Sequence, residues 1–197
     1  MKYASLLLGV TLLAAPMSFA QTTTTPPMSS STRLSLPGPL HERLEPLVGE
    51  WRVTMRVWPS PDAEPITSSD FTATRRWILG GRYLQEDLKG TLGGRPSSRT
   101  MFLSYNNLEE RYELVSMDSF EPGQMWYAGR EEAAPGRIEL YGTSAEAGGG
   151  PEPTGRLRNL RFQFVIDADR SVERIYARYP GYAEFLFVEQ IFTRQRR

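Results

Sequence analysis

Cysteine is absent from this chain, histidine occurs once, at position 41, and lysine occurs only at positions 2 and 89. Without a thiol no disulfide can form, so a fold working outside the cytoplasm has to be held by its core alone. The same scarcity excludes thiolate and imidazole-rich zinc, copper or iron sites, which need several such ligands. No metal or other cofactor is expected. His41 lies ahead of the first strand, which makes a Ser-His-acid triad a poor reading and leaves a haem without a late axial histidine. The apolar run from Leu6 to Ala15 has about ten residues where a membrane span needs about twenty, so no span is expected. Positive charge is not in excess either, with 23 basic against 23 acidic side chains. A chain without that excess lacks the charge that neutralises nucleic-acid phosphates.

What is present begins with a secretory signal. Lys2, the apolar stretch and the small residues Ser18 and Ala20 predict a signal peptide over residues 1–20, cleaved near Ala20. The mature protein is then expected to be periplasmic or secreted, with no cysteine after the apolar run to carry a lipid. Cleavage removes Lys2 and no acid, leaving 22 basic against 23 acidic residues. Residues 21–37 are rich in Thr, Ser and Pro and have little to bury, which predicts a disordered linker. Residues 38–197 are expected to form one domain of ordinary size.

Pro39 to Leu47 predicts a short helix, with Leu40, Leu44 and Leu47 on one face and Pro39 in a first-turn position. From Trp51 the period changes to two: Trp51, Val53, Met55 and Val57 alternate with Arg52, Thr54 and Arg56. Turn signals follow at short intervals, among them Gly80-Gly81, Gly93-Gly94, Asn106-Asn107, Pro122-Gly123, Asp167-Ala168-Asp169 and Pro180-Gly181. No long helical pattern interrupts them. The expectation is an all-β fold: an antiparallel up-and-down β-barrel of about eight to ten strands. The last strand, Glu184 to Thr193, is apolar on both faces, with Phe185, Phe187 and Ile191 on one and Leu186, Val188 and Phe192 on the other.

Five stretches carry a resemblance to a known family. They are Leu47-Val48-Gly49-Glu50-Trp51, Ile78-Leu79-Gly80-Gly81-Arg82-Tyr83-Leu84, Lys89-Gly90, Leu103-Ser104-Tyr105-Asn106 and Ile191-Phe192-Thr193-Arg194. Together they resemble a bacterial domain of unknown function, the one numbered 1579, over roughly His41 to Arg194. The resemblance implies a lipocalin-like barrel and leaves the biochemical role open. It also implies structural roles: Gly49 and Trp51 form the Gly-x-Trp of the closed end. Arg194, with Arg178 as the alternative, is the late arginine stacked over the Trp51 ring.

Carboxylates are the remaining candidates for chemistry. Alternation puts Glu86 on the face of Leu84 and Leu88, and Glu189 on the face of Phe187 and Ile191. An inward carboxylate would suit a cofactor-independent isomerase or hydrolase, or would be a structural partner of one of the many arginines. No catalytic residue stands out. The leading expectation is a binding protein for a small apolar or amphipathic molecule. The alternatives are that enzyme or a filled barrel that presents loops to another envelope protein. Counting strands upward from Trp51 places the open mouth at Val57, Phe71, Asp87, Arg99 and Met101, the expected ligand contacts. Arg99 would meet an acidic head group, or would instead close the mouth by pairing with Asp87.

Overall fold

The computed structural model describes residues 28–130, 132–146 and 154–196. The signal peptide expected over residues 1–20 lies outside them, as do residues 21–27 of the expected linker. Within the stretch read as linker, Ser30–Leu34 forms a short helix, α1, because Ser29 Oγ caps it by accepting the Thr32 N–H at 3.1 Å. Asn107 Nδ2 donates to the carbonyls of Leu34 and Leu36 at 3.0 and 2.8 Å and ties α1 to the barrel. The next helix is split: α2 spans Pro39–Glu42, and Glu45–Leu47 turns as a 3-10 helix around Pro46. Pro46 has no N–H to continue α2. Leu44 and Leu47 are nonetheless fully buried against the barrel.

Eleven strands follow among the described residues. They are β1 (Gly49–Val57), β2 (Ile66–Ile78), β3 (Tyr83–Leu92), β4 (Arg95–Asn106), β5 (Arg111–Asp118), β6 (Met125–Gly129), β7 (Glu132–Ala134), β8 (Arg137–Ala145), β9 (Leu157–Val165), β10 (Arg170–Arg178) and β11 (Phe185–Arg194). Neighbours in chain order pair antiparallel, apart from β6 and β7, and β1 pairs with β11. The sheet closes where β6 meets β8 through Tyr127 opposite Gly142 and Ala128 opposite Tyr141. The result is a closed ten-strand antiparallel barrel, with β7 a short hairpin partner of β8 outside the closed ring.

The last strand shows why its sequence looked apolar on both faces. Ile175 pairs with Val188 but Tyr176 pairs with Leu186, so residue 187 is an extra residue in β11. A bulge of this kind exchanges the faces of a strand beyond it. Phe192 and Val188 pack inward below the bulge, and Phe185 and Phe187 pack against the core above it. Leu186 and Val188 therefore do not share one face throughout. A second irregularity in β2 lies between Ser68, opposite Met55, and Phe71, opposite Val53.

Trp51 marks the closed base. It is fully buried, its Nε1 donates to the Leu47 carbonyl at 3.0 Å, and it packs edge-on against Phe192. Two apolar clusters fill the interior. One, around Trp51, Phe71 and Phe192, lies on the side of β1–β3 and β11. The larger one, around Leu103, Leu114, Leu140 and Phe162, lies on the side of β4–β10.

Candidate functional site

The strand direction of β1 carries the chain from Trp51 to Val57, which pairs with Val188 on one side and Ile66 on the other. This end of the barrel holds a cavity of about 390 Å³. Met55, Val57, Ile66, Leu88, Leu92, Phe120, Phe187 and Val188 give it mostly apolar walls. These positions face inward because β1, β2, β3 and β11 alternate, with the bulge adding Phe187 beside Val188. Arg95, Ser97 and Arg99 of β4 line it, with Asp118 and Glu121 from the end of β5 and the loop after it. By register Arg99 lies deeper than Arg95, opposite Leu88.

Arg99 belongs to a buried quartet. Its Nε donates to Glu86 Oε1 at 3.1 Å, and its Nη2 donates to Glu86 Oε1 and, at 2.8 Å, to Glu173 Oε2. Arg75 completes the ring: Nε donates to Glu86 Oε2 at 2.8 Å, Nη2 to Glu173, and Nη1 to Ser171 Oγ at 3.3 Å. Two cations and two anions balance, so burial leaves no uncompensated charge. The Arg75 guanidinium lies 3.8 Å from the Phe192 ring centroid, and that of Arg99 lies 6.0 Å from that of Phe162. The quartet thus bridges the two apolar clusters. Burial raises the pKa of Glu86, but Arg99 and Arg75 together reverse this and hold the carboxyl below its ordinary range. Burial, and then the adjacent Glu86 carboxylate, push Glu173 upward.

Arg99 and Gln190 keep free hydrogen-bonding capacity in this region. Arg99 Nη1 has no hydrogen-bond partner among the described residues. Gln190 Oε1, on the strand position between Met55 and Glu173, is buried and unpartnered. Nearer the rim, Arg158 pairs with Glu121, donates from Nε to Ser144 Oγ at 2.8 Å, and lies 4.9 Å from the Phe187 ring centroid. Burial pushes the Tyr127 phenol upward beside these charges.

Of the residues expected at the mouth, Val57 and Arg99 line the cavity. Phe71 and Met101 are fully buried in the core below it and are not part of its lining. Asp87 points to the outer face, because alternation gives the inward side to Glu86 and Leu88. It accepts from Thr100 Oγ1 at 2.9 Å and Gln85 Nε2 at 2.8 Å and lies 3.4 Å from Arg76. The salt bridge weighed between Arg99 and Asp87 does not form; the arginine turns inward to Glu86 and Glu173. Sequence reasoning missed Ile66, Leu92, Phe120 and Phe187. Ile66 starts β2 in a stretch with little alternation, and Phe187 depends on the bulge.

Neither candidate carboxylate is free to act as a base. Glu86 accepts from both quartet arginines, and Glu189 sits on the outer face between Arg56 at 3.3 Å and Arg174 at 2.9 Å. Among the described residues no group of three or more acidic, His or Cys side chains is arranged to hold a metal ion. No helix among them is long and apolar enough to cross a membrane.

The model of the family described as "Protein of unknown function (DUF1579)" matches residues 36–194. The chain belongs to the DUF1579 family. Among solved structures it is similar to the crystal structure of Rv2717c from M. tuberculosis, with 22% sequence identity and a TM-score of 0.57. The match covers 81% of this chain and 99% of that one, and it bears on the fold alone. No curated protein matches the chain. In this DUF1579 protein the Gly-x-Trp and the closing Arg194 meet at the base: the guanidinium lies 4.3 Å over the Trp51 ring.

Proposed function

We propose that this DUF1579 protein is an exported carrier of a small amphipathic molecule, taken into the cavity at the barrel mouth. One observation supports the reading above the others. The cavity walls are mostly apolar, and on the deep wall the guanidinium of Arg99 has one nitrogen without a partner among the described residues. An apolar pocket of a few hundred Å³ with few polar groups is the usual form of a small-molecule site. An acidic head group would take its hydrogen bond from Arg99 Nη1, with the apolar body between Val57, Leu92 and Phe120. Export rests on the signal-like residues 1–20 and would make the protein periplasmic or secreted; intact-mass analysis of the native protein should then begin at Gln21.

The binding test uses the anionic apolar dye 1-anilinonaphthalene-8-sulfonate. The mature protein should bind it at one saturable site, decanoate should displace it, and Val57→Trp, which fills the cavity, should abolish binding. Undiminished binding by Val57→Trp, or no binding of any amphiphile, rejects the reading. The enzyme alternative loses its support from Glu86 and Glu189, both of which are held by arginines.

A further inference from the structure

A second cavity lies at the opposite end of the barrel, under α1 and α2, with a volume of about 310 Å³. Its lining includes Ser31, His41, Arg82, Tyr105, Asn106 and Glu113. Arg82 and Tyr105 fall in two of the stretches by which the sequence resembles its family. None of the mouth-cavity lining does.

Several polar groups of this basal cavity are already satisfied. Ser31 Oγ bonds to Ser29 Oγ at 3.0 Å. Asn106 Nδ2 donates to Glu113 Oε1 at 3.2 Å, while its Oδ1 accepts the N–H groups of Leu108 and Glu109. Glu113 is paired with Arg111 at 2.7 Å. Tyr83 and Ser104 keep polar atoms without a partner among the described residues, as do the three lining side chains that converge on one charge: His41, Arg82 and Tyr105. His41 is only 3% exposed, and its Nδ1 accepts the Gly38 N–H at 3.1 Å. That bond fixes the proton of the neutral ring on Nε2, which has no partner among the described residues. The Tyr105 hydroxyl and the Arg82 guanidinium likewise have no hydrogen-bond or ion-pair partner among them. Arg82 contacts only the ring face of Tyr83, at 5.6 Å, and Tyr105 packs edge-on against His41 and Tyr112. His41, Arg82 and Tyr105 are all donors, Arg82 carries a full positive charge, and Glu113, the one carboxylate among the described lining residues, is already taken.

We propose that the basal cavity binds a small oxyanion, a carboxylate or a phosphate, between the Arg82 guanidinium and the Nε2–H of His41, with the Tyr105 hydroxyl as third donor. An acceptor-only ligand is the one that satisfies donors without bringing new unpaired ones. The charged and titratable groups around the site include Arg43 on the segment of His41, Arg82 from the β2–β3 turn, Tyr83 from β3, Tyr105 from β4, Glu110 from the β4–β5 turn, which with Arg43 acts on Tyr105, and Glu113 from β5. Burial, and then Arg82, hold the His41 pKa below the ordinary imidazole value. An anion seated against both groups offsets that repulsion and raises it. The site stands apart from the mouth and does not depend on what the mouth carries.

The single histidine makes the test direct, since its ring resonances cannot be confused with any other. The mature protein is titrated by NMR with sodium phosphate, and separately with sodium acetate, against sodium chloride at equal ionic strength. The expected result is a saturable shift of the His41 ring signals and a rise in its pKa with phosphate or acetate and not with chloride. The stronger of the two oxyanions identifies the head chemistry. Arg82→Gln, at an exposed position without ion pairs, should leave the melting midpoint unchanged and weaken binding by about tenfold or more. Tyr105→Phe should weaken it less. A His41 signal that moves equally in chloride, or not at all, overturns the proposal, and so does unchanged affinity in Arg82→Gln.

Discussion

The Nη1 atom of Arg194 lies 2.5 Å from where a Cβ on residue 49 would stand. Gly49 adopts φ +136, and the arginine uses the vacated space to donate to the carbonyls of Val48 at 2.7 Å and Pro46 at 2.6 Å while covering the Trp51 ring. Glycine and arginine are thus two halves of one contact. Gly49→Ala should displace the guanidinium and strain the backbone, losing the cation–π term of about 0.5–2 kcal/mol together with the carbonyl caps. Trp51→Ala should cost about 3–5 kcal/mol in a urea titration. A loss below about 1 kcal/mol would contradict a buried plug.

The quartet predicts a sharp penalty for removing one member. Glu86→Ala leaves two buried guanidiniums with a single carboxylate and should cost about 3–5 kcal/mol, measured by chemical denaturation.

Acid should separate the two carboxylates. Glu86 has a depressed pKa in the fold, so its contribution is complete above the unfolded value of 4.5 and is lost as pH falls through the folded value. Glu173 is shifted upward, and its contribution has the opposite sign: present at low pH and lost as pH rises through its folded pKa. Glu86→Gln should therefore flatten the acid limb of a stability–pH curve. A limb as steep as that of the wild type would count against the arrangement.

His41 gives a separate window. Its pKa is lowered by burial and by Arg82, so the neutral ring is favoured in the fold. Stability from this group is complete above the ordinary imidazole value of about 6.5 and declines as pH falls below it. Thermal melts of His41→Asn should lack that decline.

The β6–β8 seam depends on glycines. A Cβ on Gly142 would stand 2.3 Å from the Trp126 carbonyl oxygen, and one on Gly129 would stand 2.0 Å from that of Glu139. Gly142→Ala should cost about 1–3 kcal/mol or more, because backbone has to move to admit it. Hydrogen exchange should speed up first at the amides of β6 and β8 around Tyr127 and Tyr141. Uniform acceleration around the ring would argue against a local seam.

The period-two pattern and the spaced turn residues were enough to read the barrel, because alternation and turn chemistry are local properties. Glu86 was legible as inward for the same reason. Its partner Glu173 was not, since β3 and β10 meet only across the interior and nothing in either strand announces the other. The bulge at residue 187 escaped because an extra residue in an apolar strand leaves no polar signature. The weakly patterned Ile66–Asp70 hid the start of β2. Both losses fell on the mouth, which is why Val57 was found and Phe187 was not. The basal cavity escaped for another reason: α1 roofs it, and a Ser/Thr-rich segment reads as linker until its cap bond is seen.

The ladder between β1 and β11 joins Trp51 to Arg194, nearly opposite ends of the folded chain. As the polypeptide emerges from a ribosome or a translocation channel, β1 appears first and its final neighbour last. Throughout that interval one edge of β1 has unpaired amides and carbonyls, and Trp51 waits without the cation that covers it. Ring closure therefore waits for β11 to emerge, and loop-closure entropy makes it slow. An open-edged sheet that persists until β11 arrives is the stage at which this protein is most exposed to aggregation and most in need of a holding chaperone.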